Sequence, residues 1–276
     1  MRSVPYFFRL ATALNFAATA AAVALVPASA QNAAAPQASA VASTAACNAP
    51  ADLVRLVHPL KRVAQRIAGG QPLTIVAIGS SSTAGAGASS PAMSYPSRLE
   101  VELKALLPRV DITVVNRGVN GEESRDMLAR FDRDVISQHP DLVLWQVGSN
   151  SVLRDRPLGE ANTSLRDGLK RLHQAGADVV LINPQYAPKV INKHDVDGMV
   201  DLIHVMAKET NVDLFERFAV MRYWRLTEDI PFSTFISPDE LHMNDWSYGC
   251  IAKLMAGAIH EAAARLTVTA TAQGRR

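Results

Sequence analysis

Leu73-Thr74-Ile75-Val76-Ala77-Ile78 is a run of apolar, mostly β-branched residues with almost no polar face, too short for a helix of ordinary length. Such a run predicts a strand covered on both sides, which is the situation of a strand inside a parallel sheet. Asp141–Val147 and Ala177–Asn183 repeat the pattern, and Asp111–Asn116 and Val212–Phe215 are shorter versions of it. Between these runs the apolar spacing changes to the helical period over 95–107, 122–137, 160–175 and 196–209, with a closing helix over 246–266. Strand and helix in alternation predict a single three-layer α/β/α domain, with a flavodoxin-like five-stranded parallel sheet and right-handed crossovers. The segment 217–236 reads as irregular and aromatic, and 52–67 as one bent or two short helices around Pro59.

In such a sheet ligands sit beyond the carboxyl ends of the strands, so the turns that follow them are where chemistry is expected. Those turns read Gly79-Ser80-Ser81-Ser82-Thr83, then Asn116-Arg117-Gly118-Val119-Asn120-Gly121, then Gly148-Ser149-Asn150-Ser151. Ahead of the last helix stands Pro238-Asp239-Glu240-Leu241-His242. A serine hydroxyl becomes a competent nucleophile when a histidine takes its proton, and the histidine in turn needs a carboxylate to fix its tautomer. Asp239 and His242, three apart, can fold onto one another, while a glycine amide and a side-chain amide can supply donors for an oxyanion.

At these residues the chain resembles the SGNH, or GDSL, hydrolase superfamily. Its Gly-Asp-Ser-Leu block falls on Gly79-Ser80-Ser81-Ser82, its second-block glycine on Gly121, its Gly-x-Asn-Asp block on 148–151, and its Asp-x-x-His block on 239–242. The resemblance implies Ser81 as nucleophile, His242 as base and then acid, and Asp239 as its orienter. The Ser81 amide, Gly121 amide and Asn150 side chain would form the oxyanion hole. Two positions depart from the pattern: Ser80 and Ser151 replace its aspartates. The three consecutive serines also leave the register open, since Ser80 or Ser82 would take the role if the turn were shifted by one.

Other features read more plainly. Gly118 shapes its turn, and the six remaining histidines lack ligand spacing, so no metal and no organic cofactor are expected. No P-loop lysine follows Gly85-Ala86-Gly87, which argues against a nucleotide. Gln185 and Tyr186, after the fourth strand, are expected to line the substrate cleft, and Trp224 and Trp246 either stack on a sugar or pack the core.

The N-terminus determines where such a domain would work. Residues 1–30 are basic at Arg2 and Arg9, then apolar and alanine-rich, and end Ala28-Ser29-Ala30, the pattern of a cleaved secretory signal peptide. Its removal takes two of the 28 basic residues and none of the 26 acidic ones, and a chain so balanced in charge argues against nucleic acid as partner. Residues 31–47 are a charge-free Ala/Ser/Pro spacer, 48–270 the domain and 271–276 a disordered tail. In an exported protein the only two cysteines, Cys47 and Cys250, are expected to pair.

The expected function is therefore an exported serine esterase, periplasmic or secreted, with no membrane span after cleavage. It would act through an acyl-serine intermediate on a small-molecule or glycan ester, with short acyl groups on carbohydrate or envelope glycan as the first reading. A lipase, lysophospholipase, thioesterase or O-acyltransferase of the same superfamily, or a non-catalytic glycan-binding module, are the alternatives.

Overall fold

The computed structural model describes residues 46–273, with side chains to Leu266. The expected signal peptide and residues 31–45 of the spacer lie outside them. Two short helices, α1 (Ala51–Val54) and α2 (Lys61–Ala68), lead into β1 (Leu73–Gly79). The first half continues through α3 (Ser81–Ala84), α4 (Tyr95–Leu106), β2 (Ile112–Gly118), α5 (Ser124–Ala129) and α6 (Phe131–Asp134). The second half runs β3 (Leu142–Gln146), α7 (Ser149–Leu153), α8 (Leu158–Gln174), β4 (Asp178–Ile182), α9 (Pro188–Ile191) and α10 (Val196–Thr210). It closes with β5 (Asp213–Phe215), α11 (Arg217–Leu226), α12 (Phe232–Phe235) and α13 (Asp245–Gln273).

All four strand pairs are parallel and the order is β2-β1-β3-β4-β5, the flavodoxin-like arrangement expected. The order reverses between β1 and β3, which lie side by side with Ile75 opposite Leu142. That switch point brings the turns after β1, β2 and β3 to one rim. The apolar runs are what fill the middle: β3 is buried along its whole length, with Trp145 among the largest enclosed side chains.

The opposite rim is pinned by acids. Asp141, just ahead of β3, is buried and accepts from Arg62 and Arg66 of α2 and from the Thr74 amide. Asp178 accepts from the Val63 amide and Asp213 from the His58 amide. Burial pushes both of these carboxyls up, against the pull of their backbone hydrogen bonds.

A disulfide joins Cys47 to Cys250, with Cα atoms 5.4 Å apart and a separation of 203 residues, as the cysteine count led us to expect. It ties the start of the domain to α13, and Trp224 Nε1 reinforces the tie by donating to Asn48 O at 2.8 Å.

Three expectations need correction. The 217–236 segment is helical in two pieces, because α11 buries Phe218, Val220, Met221 and Trp224 on one face. The helix expected over 122–137 is broken, since Arg130 leaves helical geometry to reach Arg117 O, Glu122 and Asp134. The tail expected from 271 is still helix to Gln273, the first helix-breaking residue after Leu266 being Gly274.

Candidate active site

Ser81 is the first residue of α3, which begins directly beyond β1. The turn lies flat on the sheet because β2 comes close beneath it: a Cβ on Gly118 would sit 2.1 Å from Ala84 N. Ser80 is buried, with its amide and hydroxyl both on Gln146 Oε1 at 2.9 and 3.0 Å. Ser82 is also buried. Of the three serines Ser81 is the one whose hydroxyl meets the histidine.

His242 Nε2 lies 2.8 Å from Ser81 Oγ, and His242 Nδ1 lies 2.5 Å from Asp239 Oδ2. With Nδ1 donating to the carboxylate, Nε2 is left as acceptor for the hydroxyl. Asp239 Oδ1 also accepts from the Leu241 and His242 amides, so one carboxylate folds the loop and orients the ring together. Burial pushes this carboxyl up, but the hydrogen bonds from the His242 imidazole and from the two amides together outweigh it and hold it below the ordinary aspartate value. Glu240 carries a φ of 59° in the middle of this tight turn.

Two backbone donors stand ready on the other side. Neither the Ser81 amide nor the Gly121 amide has a hydrogen-bond partner among the described residues. Gly121 holds a φ of 79°, a conformation that favours glycine. Gly118 is different, its amide being taken by Asn116 Oδ1. Asn150 Nδ2 donates to Glu122 O at 2.9 Å, which fixes the plane of the side chain and leaves its second hydrogen free.

The two departures from the family pattern have local reasons. Ser80 donates to an acceptor oxygen, which an aspartate carboxylate would instead oppose. Ser151 Oγ donates toward Glu123 Oε2 at 3.4 Å, where an aspartate would set a second carboxylate against a buried first one.

Beneath these loops runs a network that sequence reading missed. Gln146 closes the apolar strand β3 and takes Ser80 and Thr83 on its carbonyl, while its amide reaches Ser149 Oγ at 3.4 Å. Ser149 Oγ donates to Gln185 Oε1, and Gln185 Nε2 donates to Leu241 O beside the histidine. Arg217 Nη2 also donates to Gln185 Oε1, and its Nε donates to Asn183 O. Burial pulls this guanidinium down to about 10, with Tyr95 and Tyr248 opposing. Gln185 is therefore not on the cleft wall: it is 2% exposed and occupied at both ends of its amide. The only signal for it was a polar residue ending an apolar run.

Tyr186 is half-buried, edge-on to Phe218 and stacked on Phe232. Phe232, Pro188, Ile236, Pro238 and Glu240 line a recess of about 570 Å³ beside Asp239. Trp224 is fully buried and Trp246 packs edge-on against it, so core packing accounts for both. Among the described residues no group of three His, Cys, Asp or Glu side chains is arranged to hold a metal ion.

Residues 46–265 match the profile of the Non-GDSL lipase-like family. An acetylxylan esterase of Geobacillus stearothermophilus is 32% identical over 124 residues, which is 40% of this chain and 56% of that protein. An arylesterase of Vibrio mimicus is 28% identical over 131 residues, 45% of this chain and 64% of that protein. The chain thus spans less than two thirds of the length of these relatives. A two-domain esterase active on acetylated mannans, crystallised with mannopentaose, shares the fold with a TM-score of 0.65 at 20% identity, over 76% of this chain and 56% of that one.

Proposed function

The chain belongs to the Non-GDSL lipase-like family, and on that footing we propose that it is a serine ester hydrolase that removes short acyl groups, acetyl first, from carbohydrate. The observation that carries the proposal is the unbroken hydrogen-bonded sequence from Asp239 through His242 to Ser81.

In the proposed reaction Ser81 Oγ attacks the ester carbonyl carbon while its proton passes to His242 Nε2. The carbonyl oxygen, now an anion, receives the Ser81 amide, the Gly121 amide and the free hydrogen of Asn150 Nδ2. Asp239 supports the positive imidazolium. His242 then returns the proton to the alcohol oxygen as the carbon–oxygen bond breaks, leaving an acyl-serine. Water, deprotonated by the same nitrogen, repeats the addition and releases the acid.

Since the departing alcohol takes its proton from His242, it lies on that side of the serine. The recess lined by Phe232, Pro188 and Pro238 lies beside Asp239, the partner of that histidine, with Tyr186 behind Phe232. A sugar ring suits a recess that sets Phe232 and two prolines beside the polar Ser233, Ser237, Glu240 and Asn244, and the acetylxylan and acetylated-mannan esterases among the similar proteins support a carbohydrate alcohol. Export is part of the reading, supported by the leader-like pattern of residues 1–30 and by the disulfide. Among the described residues no helix is long and apolar enough to cross a membrane.

The test is a fluorophosphonate probe with peptide mapping, run beside acetate release from acetylated xylan and mannan oligosaccharides. Labelling at Ser81, abolished in Ser81→Ala and strongly reduced in His242→Ala, together with acetate release, is the expected result. A folded protein that neither labels nor releases acetate refutes the proposal.

A further inference from the structure

The proposed oxyanion glycine has a charged neighbour that the chemistry above leaves idle. A Cβ built on Gly121 would lie 3.4 Å from Nη2 of Arg154, which follows α7. Nη1 of the same guanidinium donates to Glu123 Oε1 at 2.8 Å. Glu123 is buried, and its carboxylate also caps α5 through a reciprocal pair with Asp126. Arg154 Nη2 makes no hydrogen bond among the described residues, and the side chain is 43% exposed. The guanidinium is thus fixed along one edge and open along the other, and the open edge faces the glycine whose amide would receive the oxyanion.

The charge around it is unevenly spread. Arg156 Nε lies 3.4 Å from the same Glu123 Oε1, and neither Arg154 nor Arg156 pairs with a second carboxylate among the described residues. Arg125 reaches Glu123 only at 3.9 Å and is shared with Asp126 and Glu160. Counted together, three guanidiniums face three carboxylates, but Asp126 and Glu160 sit on Arg125 alone, so Arg154 and Arg156 share the single buried carboxylate of Glu123. An uncharged acetyl group or sugar hydroxyl offers the free N–H edge of Arg154 no charged partner, whereas a substrate carboxylate does.

We propose that Arg154 is a specificity-determining residue that selects esters carrying a carboxylate next to the scissile bond, as in an acetylated uronic acid unit of a glycan. The proposal rests on the reading of Ser81 as nucleophile and of Gly121 as an oxyanion donor. It places the carboxylate of the alcohol portion against Arg154 Nη2, beside Gly121.

The experiment compares two esters that differ in one charge, 3-acetoxybenzoate and phenyl acetate, on wild type, Arg154→Gln and Arg154→Lys. The quantity read is the ratio of kcat/KM for the anionic ester to that for the neutral one. The ratio should fall roughly tenfold or more in Arg154→Gln and recover in part in Arg154→Lys, and added salt should lower it in wild type. An unchanged ratio, or an equal loss on both esters, overturns the proposal, the latter because it would mark Arg154 as a support for the Gly121 turn. Fluorophosphonate labelling of Ser81 in the same preparations scores the nucleophile separately. A labelled protein with an unchanged ratio sinks the specificity claim alone, while an unlabelled wild type sinks both.

Discussion

Replacing Asn150 by alanine tests the oxyanion assignment through a group whose geometry is already half explained. One hydrogen of Asn150 Nδ2 is held by Glu122 O at 2.9 Å, so the side chain cannot swing to follow the substrate and the second hydrogen is aimed before the reaction begins. A donor fixed in this way stabilises charge that develops only in the transition state, and removing one such donor costs kcat about 10²–10³-fold, or about 2.7–4 kcal/mol. The ester carbonyl of the ground state is a weak acceptor, so KM should change far less than kcat. Stability should hardly move. Glu122 is kept in place independently by the bidentate Arg130 contact, and the freed carbonyl sits at a partly exposed loop. Asn150→Asp sharpens the test, because the same-sized side chain would turn a carboxylate toward both Glu122 O and the developing anion. Its kcat should fall at least as far as that of Asn150→Ala. Steady-state hydrolysis of 4-nitrophenyl acetate, with melting curves to certify the fold, is the assay. A kcat within about threefold of wild type, or an Asp variant faster than the Ala variant, would refute the assignment.

Gln185→Leu keeps the volume but strips partners from Leu241 O, Ser149 Oγ and Arg217 Nη2. It should cost about 1–3 kcal/mol of stability and lower kcat by disturbing the His242 loop, and equal denaturation midpoints and kcat for variant and wild type would contradict this. Converting both Cys47 and Cys250 to serine should cost about 2–5 kcal/mol, since the bridge closes a loop of 203 residues, and urea titration of the two proteins measures it directly. Burial raises the Asp178 carboxyl above its ordinary value, so it binds its proton more readily folded than unfolded. Its contribution to stability is then complete below the unfolded-state pKa and is lost as the pH rises through the raised folded value. Thermal melts across that window should show a smaller loss with rising pH in Asp178→Asn than in wild type, and superimposable profiles would count against it.

The parts of this protein that could be read from its sequence are those whose signal is local. β1, β3 and β4 are apolar from end to end because both their faces are covered, and that burial is written into each run independently of its surroundings. The Asp239–His242 pair was legible for a similar reason, the two being one turn apart with the carboxylate bonded to its own loop. What escaped was set by partners distant in the chain. Arg217 opens a helix with a charged residue that ends up fully buried, and its justification lies on Asn183 and Gln185, 34 and 32 residues away. Gln185 was misplaced by the same contact, since a polar residue at the end of a strand looks like cleft lining until its amide is seen to be occupied on both sides. The break at Arg130 likewise follows from Arg117 O, a carbonyl on β2.

The imidazole and the second cysteine belong to the same late stretch of polypeptide: His242 precedes α13, and Cys250 lies within it. Ser81, Gly121 and Asn150 leave the ribosome long before either. Until that stretch arrives, Ser81 has no imidazole beside it and the arm at Cys47 has nothing to bond to. On the proposed reading, the base for Ser81 and the second sulfur of the bridge both arrive only after most of the chain has been made, so a nascent chain stalled before residue 242 would carry an unactivated serine.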